Sequence, residues 1–291
     1  MELSYHSETS AGIDPAEVLP FIRESFGETE ACDPIHDAFN THFTRTGKLM
    51  RSRICLNTAV ALGLSRTDSL SLASCVESLH NASLVQDDFQ DQDLQRRNAP
   101  TISAQYGSNI AIGLTNRLIS TSFVCLQRGN LSESLGSLMQ QIHEAINTTV
   151  LGQTLDLEKA DACSSDDLLS IAKKKSGPLF ALALELPLLA GGFLQALPQA
   201  HDSACHFGLG YQILDDLWDF NKDTLKDSDS NIINALTDKQ DVSQSIRHAK
   251  ELAETELRSS IELATPLPHG SGEELKSMSV NMLEQLKHCH D

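Results

Sequence analysis

Two short acidic clusters, Asp87-Asp88-Phe89-Gln90-Asp91 and Asp215-Asp216-Leu217-Trp218-Asp219, repeat one spacing, Asp-Asp-x-x-Asp. Each closes a long apolar stretch with helical periodicity. Residues four apart share a helix face, so Asp87 lies over Asp91 and Asp215 over Asp219. Like charges stacked in this way repel, and divalent cations between the carboxylates relieve the repulsion. Hard oxygen donors of this kind suit Mg²⁺. Two such pairs facing each other would hold several ions and, through them, a diphosphate, so the expected chemistry is on a phosphorylated substrate. Taken alone, either cluster reads equally well as a solvated acidic face.

A diphosphate also needs cationic donors. Gly47-Lys48-Leu49-Met50-Arg51 sets Lys48 and Arg51 three apart at a predicted helix start, where backbone N–H groups favour anions. Arg96-Arg97 follows the first cluster, Lys175 and Ser176 lie at a predicted helix end, and His80 precedes Asp87 by two turns on the same face. Singly, these are a surface pair, a basic helix C-terminus and a satisfied histidine. Together, in a chain of net charge −18, they point to an anionic ligand.

The elements that position these residues read as helices. Asp14-Pro15-Ala16-Glu17 is a capping box with proline at the first helical position, predicting a helix to about Phe26 that stops at Gly27. Asp33-Pro34 opens a second, to about Thr46. Further helices are predicted over 49–62, 67–90, 108–127, 131–158, from a cap at 165–167 to Lys175, and over 178–190, 201–220, 242–264 and 272–288. Polar loops are expected at 92–101 and 221–230. Leu84-Val85-Gln86-Asp87-Asp88 is echoed by Gln212-Ile213-Leu214-Asp215-Asp216, which predicts two helices presenting matched carboxylates across one cavity. No linker or low-complexity tract divides the chain, so residues 1–291 are expected to form one domain, an all-α bundle of roughly ten or more helices.

Composition limits the alternatives. Hydrophobic residues make up 40% of the 291 positions, enough for a sizeable core, and strand-forming runs are rare. The acidic balance argues against nucleic acid or an anionic membrane as partner. Seven scattered cysteines, never spaced Cys-x-x-Cys, suggest neither a disulfide framework nor a zinc site. No signal peptide and no stretch long enough to cross a bilayer is visible, and a cytoplasmic protein is expected.

Across nearly its whole length the chain resembles the trans-type isoprenyl (polyprenyl) diphosphate synthases. Gly47-Lys48-x-x-Arg51 is similar to that family's GKxxR element. The stretch from Glu77 to Asp91, followed by Arg96-Arg97, resembles its first aspartate-rich motif. Gly152-Gln153-Thr154-Leu155-Asp156-Leu157 matches GQxxDL, Lys175-Ser176 stands at its Lys-Thr, and the stretch from Phe207 to Asp219 resembles its second aspartate-rich motif.

The resemblance implies an isoprenoid synthase type I fold around a central active-site cavity, usually as a homodimer. It implies Mg²⁺-dependent head-to-tail condensation of isopentenyl diphosphate with an allylic diphosphate. Asp87, Asp91 and Asp215, supported by Asp88, Asp216 and Asp219, would hold three Mg²⁺ ions. Arg96 and Lys175 would touch the allylic diphosphate, and Lys48, Arg51, His80 and Arg97 the other diphosphate. Gln153 and Asp156 would belong to the substrate site. Lys175, Ser176 and Gln212 would set oxygens near the developing cation.

The pattern departs from the family after Asp219, where the stretch from Asn221 to Asn231 is shorter and lacks the usual glycines. Lys226 would stand for the first lysine of that loop. Asn98 replaces the glycine after the arginine pair. One turn before Asp87, where the family's product tunnel begins, stand the small Ala82 and Ser83, with Leu79 a turn below, and products of twenty carbons or more are expected. Rival readings are a class I terpene cyclase, a prenyltransferase to another acceptor and a non-catalytic subunit of a two-component synthase. The cyclase would not need Lys48, Arg51 and His80, and a released subunit would be expected to lose an acidic cluster.

Overall fold

The computed structural model describes residues 12–27, 32–158, 164–223 and 242–289. Asp14 caps a 3₁₀ turn, Pro15–Glu17, and closes the capping box with Glu17. The turn runs into α1 (Val18–Phe26), which ends at Gly27 with φ 85°. Asp33 accepts from the backbone N–H groups of Ile35 and His36 to start α2 (Pro34–His42). That helix stops four residues short of the predicted Thr46. Next come α3 (Met50–Ala61), α4 (Arg66–Gln90), α5 (Ile102–Tyr106), α6 (Ser108–Gln127) and α7 (Leu135–Glu158). The last four are α8 (Ser165–Ala190), α9 (Leu197–Asp223), α10 (Val242–Ala264) and α11 (Glu273–Lys287). The fold is all-α, as expected.

α8 contradicts the expectation of two helices. It runs unbroken through Gly177-Pro178 and Pro187, and its cap is Ser164, one residue earlier than predicted. Pro178 has no N–H, so the carbonyl four residues back, that of Lys174, loses its helical partner. Tertiary packing outweighs this local cost. From Leu179 to Leu188 every side chain is buried, enclosed by α3, α4, α7 and α9. Each buried leucine or phenylalanine contributes about 1.5–3 kcal/mol. A helix apolar all round belongs at the centre of a bundle. Lys175 therefore lies mid-helix, not at a helix end.

α4 is the second central element, packed on α1, α3, α6 and α8. Leu72, Ala73, Cys75, Val76, Leu79, Ala82 and Val85 are all buried. α9 lies between α8 and α10.

The predicted polar loop after α4 holds a two-residue antiparallel ladder, β1 (Gln95–Arg96) with β2 (Ala99–Pro100). Its turn residues Arg97 and Asn98 both have positive φ, 52° and 59°. That is the type I′ geometry matching strand twist. Asn tolerates it readily, whereas Arg97 is held there by its side-chain contacts.

Candidate active site

α4 delivers Asp87, Asp88 and Asp91 at its last turn, but the three are not equivalent. Asp88 is 3% exposed, and its Oδ1 accepts from Arg96 Nε at 2.6 Å, because the tight hairpin turns Arg96 back over the helix end. Asp91 accepts from Gln153 Nε2 on α7 at 3.1 Å. Burial pushes the Asp87 carboxyl up to about 6; Asp91 and Asp88 add to the shift, and Lys175 opposes it. Asp91 is raised by burial as well.

Two turns back along α4 from Asp87, at His80, is a basic cavity of about 180 Å³ lined by Lys48, Arg51, His80, Arg97, His42 and Tyr211, among others. Lys48 precedes α3 rather than lying within it. Leu49 adopts a left-handed conformation, φ 48°, at the helix start. The Arg51 guanidinium stacks on the Phe180 ring, 3.8 Å from its centroid, and Arg51 Nη1 lies 3.2 Å from His80 Nε2. A guanidinium only donates, so His80 Nε2 is the acceptor and Nδ1 carries the ring proton. Burial, reinforced by Arg51, Arg97 and Arg96, holds His80 well below the usual imidazole range and therefore neutral. Burial lowers Arg51 to about 10, still charged at neutral pH.

Two donors here, Arg51 Nε–H and His80 Nδ1–H, are shielded from solvent and have no hydrogen-bond partner. Each such orphan costs roughly 1–3 kcal/mol. An anion that reached them would remove that cost.

Beneath the cations lies a network that the sequence reading missed. Ser52 Oγ donates to buried Glu77 Oε2 at 2.5 Å, Asn81 Nδ2 donates to Glu77 Oε1 at 3.1 Å, and Asn81 Oδ1 meets His42 Nε2 at 2.8 Å. Since the Asn81 amide N–H points to Glu77, its oxygen faces His42, making His42 Nε2 the donor. Burial lowers His42 to about 4. Glu77 three residues before His80, and so on the same face of the helix, was the available signal. Arg97 reaches the same region through Arg45 O, 2.8 Å from its Nη1. A Cβ at Gly47 would lie 2.5 Å from Arg97 Nη2, so glycine makes room for the guanidinium.

α7, α8 and α9 meet at backbone distance beside the acidic wall. A Cβ on Gly208 would approach Gly177 Cα to 3.0 Å, so α9 lies directly on α8. This crossing brings Ser176 Oγ within 3.0 Å of Gln212 Oε1, to which it donates, while Gln212 Nε2 donates to Asp216 Oδ1 at 3.1 Å. Lys175 Nζ donates to Asp156 Oδ2 at 2.9 Å. Burial alone would lower Lys175, but Asp156, Asp87 and Asp91 outweigh it and hold the ammonium above its usual range. Asp215 is exposed on the same turn of α9. The Asp219 side chain and Lys226 lie outside the described residues.

Below Asp87 a small apolar cavity of about 40 Å³ is lined by Leu79, Ala82, Ser83, Ile119, Ile146 and Val150, among others. Ile119 on α6 and Ile146 and Val150 on α7 form its far side, a wall that no local sequence signal marked.

The carboxylates suit a hard divalent cation. Asp87 and Asp91 are oxygen donors one turn apart whose charge burial disfavours, and a cation between them would offset that. Among the described residues no three His, Cys, Asp or Glu side chains form a cage. Mg²⁺ fits such a site, since one or two carboxylates commonly hold it together with substrate phosphates.

Residues 33–261 match the family model for polyprenyl synthetase. The chain belongs to the polyprenyl synthetase family. A geranylgeranyl diphosphate synthase of Pseudescherichia vulneris is 30% identical over 76% of this chain and 78% of its own length. A geranylgeranyl pyrophosphate synthase of Geoglobus acetivorans is 27% identical over 69% of this chain. The chain spans 64% of the length of that relative. In fold it is similar to a geranylgeranyl pyrophosphate synthetase from Pyrococcus horikoshii, with a TM-score of 0.82 and 23% identity over 92% of this chain and 95% of that one. Among the described residues no helix is long and apolar enough to cross a membrane.

Proposed function

We propose that this chain, acting as one domain, condenses isopentenyl diphosphate with an allylic diphosphate to give a trans-prenyl diphosphate of twenty carbons or more. The observation that carries this reading is the pair of orphaned donors, Arg51 Nε–H and His80 Nδ1–H, on residues lining a basic cavity two turns along α4 from Asp87. One diphosphate is bound there by Lys48, Arg51, His80 and Arg97. The other lies between Asp87, Asp91 and Asp215, with Mg²⁺ supplying neutralisation of the leaving pyrophosphate's charge when bound. Up to three ions are expected, with Asp88, Asp216, Asp219 and Lys226 in support.

Lys175, kept charged by its acidic neighbours, adds fixed positive charge where pyrophosphate departs. The allylic C–O bond breaks, the double bond of isopentenyl diphosphate attacks the allylic carbon, and the proton lost goes to the departing pyrophosphate. Ser176 Oγ and Gln212, with the Lys174 carbonyl freed by Pro178, are oxygen dipoles suited to stabilise the passing positive charge. Small Ala82 and Ser83 beneath Asp87 leave the growing chain a path between α4 and α7.

Exposed apolar side chains on α6 and α7, Ile112, Phe123, Val124, Met139, Val150 and Leu151, support a homodimer through this face. Val150 also lines the apolar cavity. A second copy there would wall the product path.

The test is product analysis by mass spectrometry with Mg²⁺, isopentenyl diphosphate and five-, ten- or fifteen-carbon allylic diphosphates. Elongated diphosphates that disappear with EDTA or with Asp87→Ala are expected. Conversion of the allylic substrate to a hydrocarbon without consumption of isopentenyl diphosphate would replace this reading with a cyclase. Binding without turnover would replace it with a non-catalytic subunit.

A further inference from the structure

The outer part of the α8–α9 crossing carries a constellation that prenyl transfer does not use. Cys205 and His201 are one turn apart on α9, with Cys205 Sγ 3.5 Å from His201 Nε2. The other ring nitrogen, Nδ1, lies 2.8 Å from Glu185 Oε1 on α8. Gln141 Nε2 on α7 donates to the second carboxylate oxygen of Glu185, also at 2.8 Å. Glu185 is 2% exposed, and a glutamate is seldom so buried without partners. Sulfur, imidazole and carboxylate thus stand in line as nucleophile, proton carrier and orienting group.

Geometry and charge single out this sulfur. Cys205 is buried, and the imidazole against its sulfur is the member of the pair that meets solvent, 47% exposed at the His201 side chain. Hydrogen bonding with Cys205 and then with Glu185 raises His201 to about 10 against the opposing effect of burial. Glu185 and Cys205 are the titratable groups that act on the ring, and Gln141 holds the far oxygen of Glu185. A protonated imidazole 3.5 Å from the sulfur is placed to hand a proton to an oxygen leaving from it. Burial pushes the Cys55, Cys75 and Cys125 thiols up.

We propose that Cys205 is a redox-modification site, converted by a small hydroperoxide to the sulfenic acid with His201 as proton donor and Glu185 as its orienting group. The thiolate sulfur attacks the terminal oxygen of the hydroperoxide. An S–O bond forms and the O–O bond breaks. Sulfur is oxidised to sulfenic acid, the peroxide is reduced, and the leaving alkoxide or hydroxide takes the proton from His201 to become alcohol or water. A thiol reductant reverses the change.

The modification is placed to reach the reaction site. A Cβ built on Gly177 would lie only 2.9 Å from Cys205 Sγ, and Gly177 follows Lys175-Ser176 directly. Oxygen on that sulfur crowds α8 where it presents both residues. This consequence rests on the proposed prenyl transfer, whereas the oxidation itself does not.

The test uses the full reduced chain, limiting hydrogen peroxide, dimedone trapping and peptide mass spectrometry. Labelling at Cys205 is expected at least about tenfold faster than at buried Cys55, Cys75 and Cys125, and faster than at exposed Cys32. His201→Gln should slow it about tenfold, and Glu185→Gln should slow it less. Prenyl transfer should fall in step with labelling, recover with dithiothreitol, and persist through peroxide in Cys205→Ala. Labelling no faster than at Cys32, or unchanged in a folded His201→Gln variant, overturns the site. Rapid labelling with full retained activity leaves the reactive thiol standing and overturns its coupling to the reaction. Absence of prenyl transfer before any peroxide is added counts against the proposed function alone, because labelling is read without it.

Discussion

The backbone of α7 at Gly152 touches that of α8 at Lys175: a Cβ on Gly152 would lie 2.5 Å from the Lys175 amide nitrogen. The atom in the way is backbone, so no rotamer change can make room. Gly152→Ala is expected to part the two helices, loosening both the Gln153–Asp91 and Lys175–Asp156 hydrogen bonds. Overpacking of this kind costs about 1–3 kcal/mol. A lower Tm with a loss of turnover larger than the stability change explains would mark the crossing as positioning the site, and an unchanged kcat would refute this.

The carboxyl of Asp87 gives the metal-free protein a predictable pH response. Its folded value is raised, from an ordinary 3.8 to about 6, mainly by burial. The folded state therefore binds the proton more tightly than the unfolded chain does. The contribution of this carboxyl to stability is highest below about 4 and falls as pH rises to about 6, then levels off. In EDTA, Asp87→Asn should remove that fall and stabilise the protein at pH 8 by about 1–3 kcal/mol. Parallel Tm-versus-pH curves for the two proteins would contradict this origin.

Arg51→Lys keeps the charge but loses the planar stack on Phe180 and the fork that donates to His80. Binding of isopentenyl diphosphate is expected to weaken by about tenfold to a hundredfold, a charge-assisted contact of roughly 1.5–3 kcal/mol. The KM for the allylic partner should move little. Initial rates with each substrate varied in turn check this, and equal effects on both would place Arg51 elsewhere.

Substitutions at the apolar cavity should change product length in both directions. Ala82→Phe and Ser83→Phe fill the space under Asp87 and are expected to shorten the product by at least one five-carbon unit. Ile146→Ala removes part of the far wall and should lengthen it, at a stability cost of about 2–5 kcal/mol. Mass spectrometry of the products reads both. Identical distributions from all variants would put the chain's path elsewhere.

The sequence by itself determined the local elements and the chemical inventory. The cap at Asp14, the Asp33-Pro34 start and the stop at Gly27 were legible because capping and left-handed glycine depend on a few neighbouring residues. The aspartate pairs, Lys48, Arg51 and His80 were legible because spacing along one helix or turn sets which groups share a face. Gly177-Pro178 was misread as a boundary, since propensity is a weak local term beside the burial of the leucines that follow it.

Tertiary structure alone decided how those residues divide the work. It assigned Asp88 to Arg96, left Arg51 Nε and His80 Nδ1 unsatisfied, set Glu77 and His42 beneath the cations, and brought Ile119 and Ile146 opposite Ala82. It also joined Cys205 and His201 to Glu185 across two helices. The reason is physical. Desolvation, hydrogen-bond partnership and the shape of a cavity depend on groups distant in sequence but near in space, and no spacing along one chain segment encodes them.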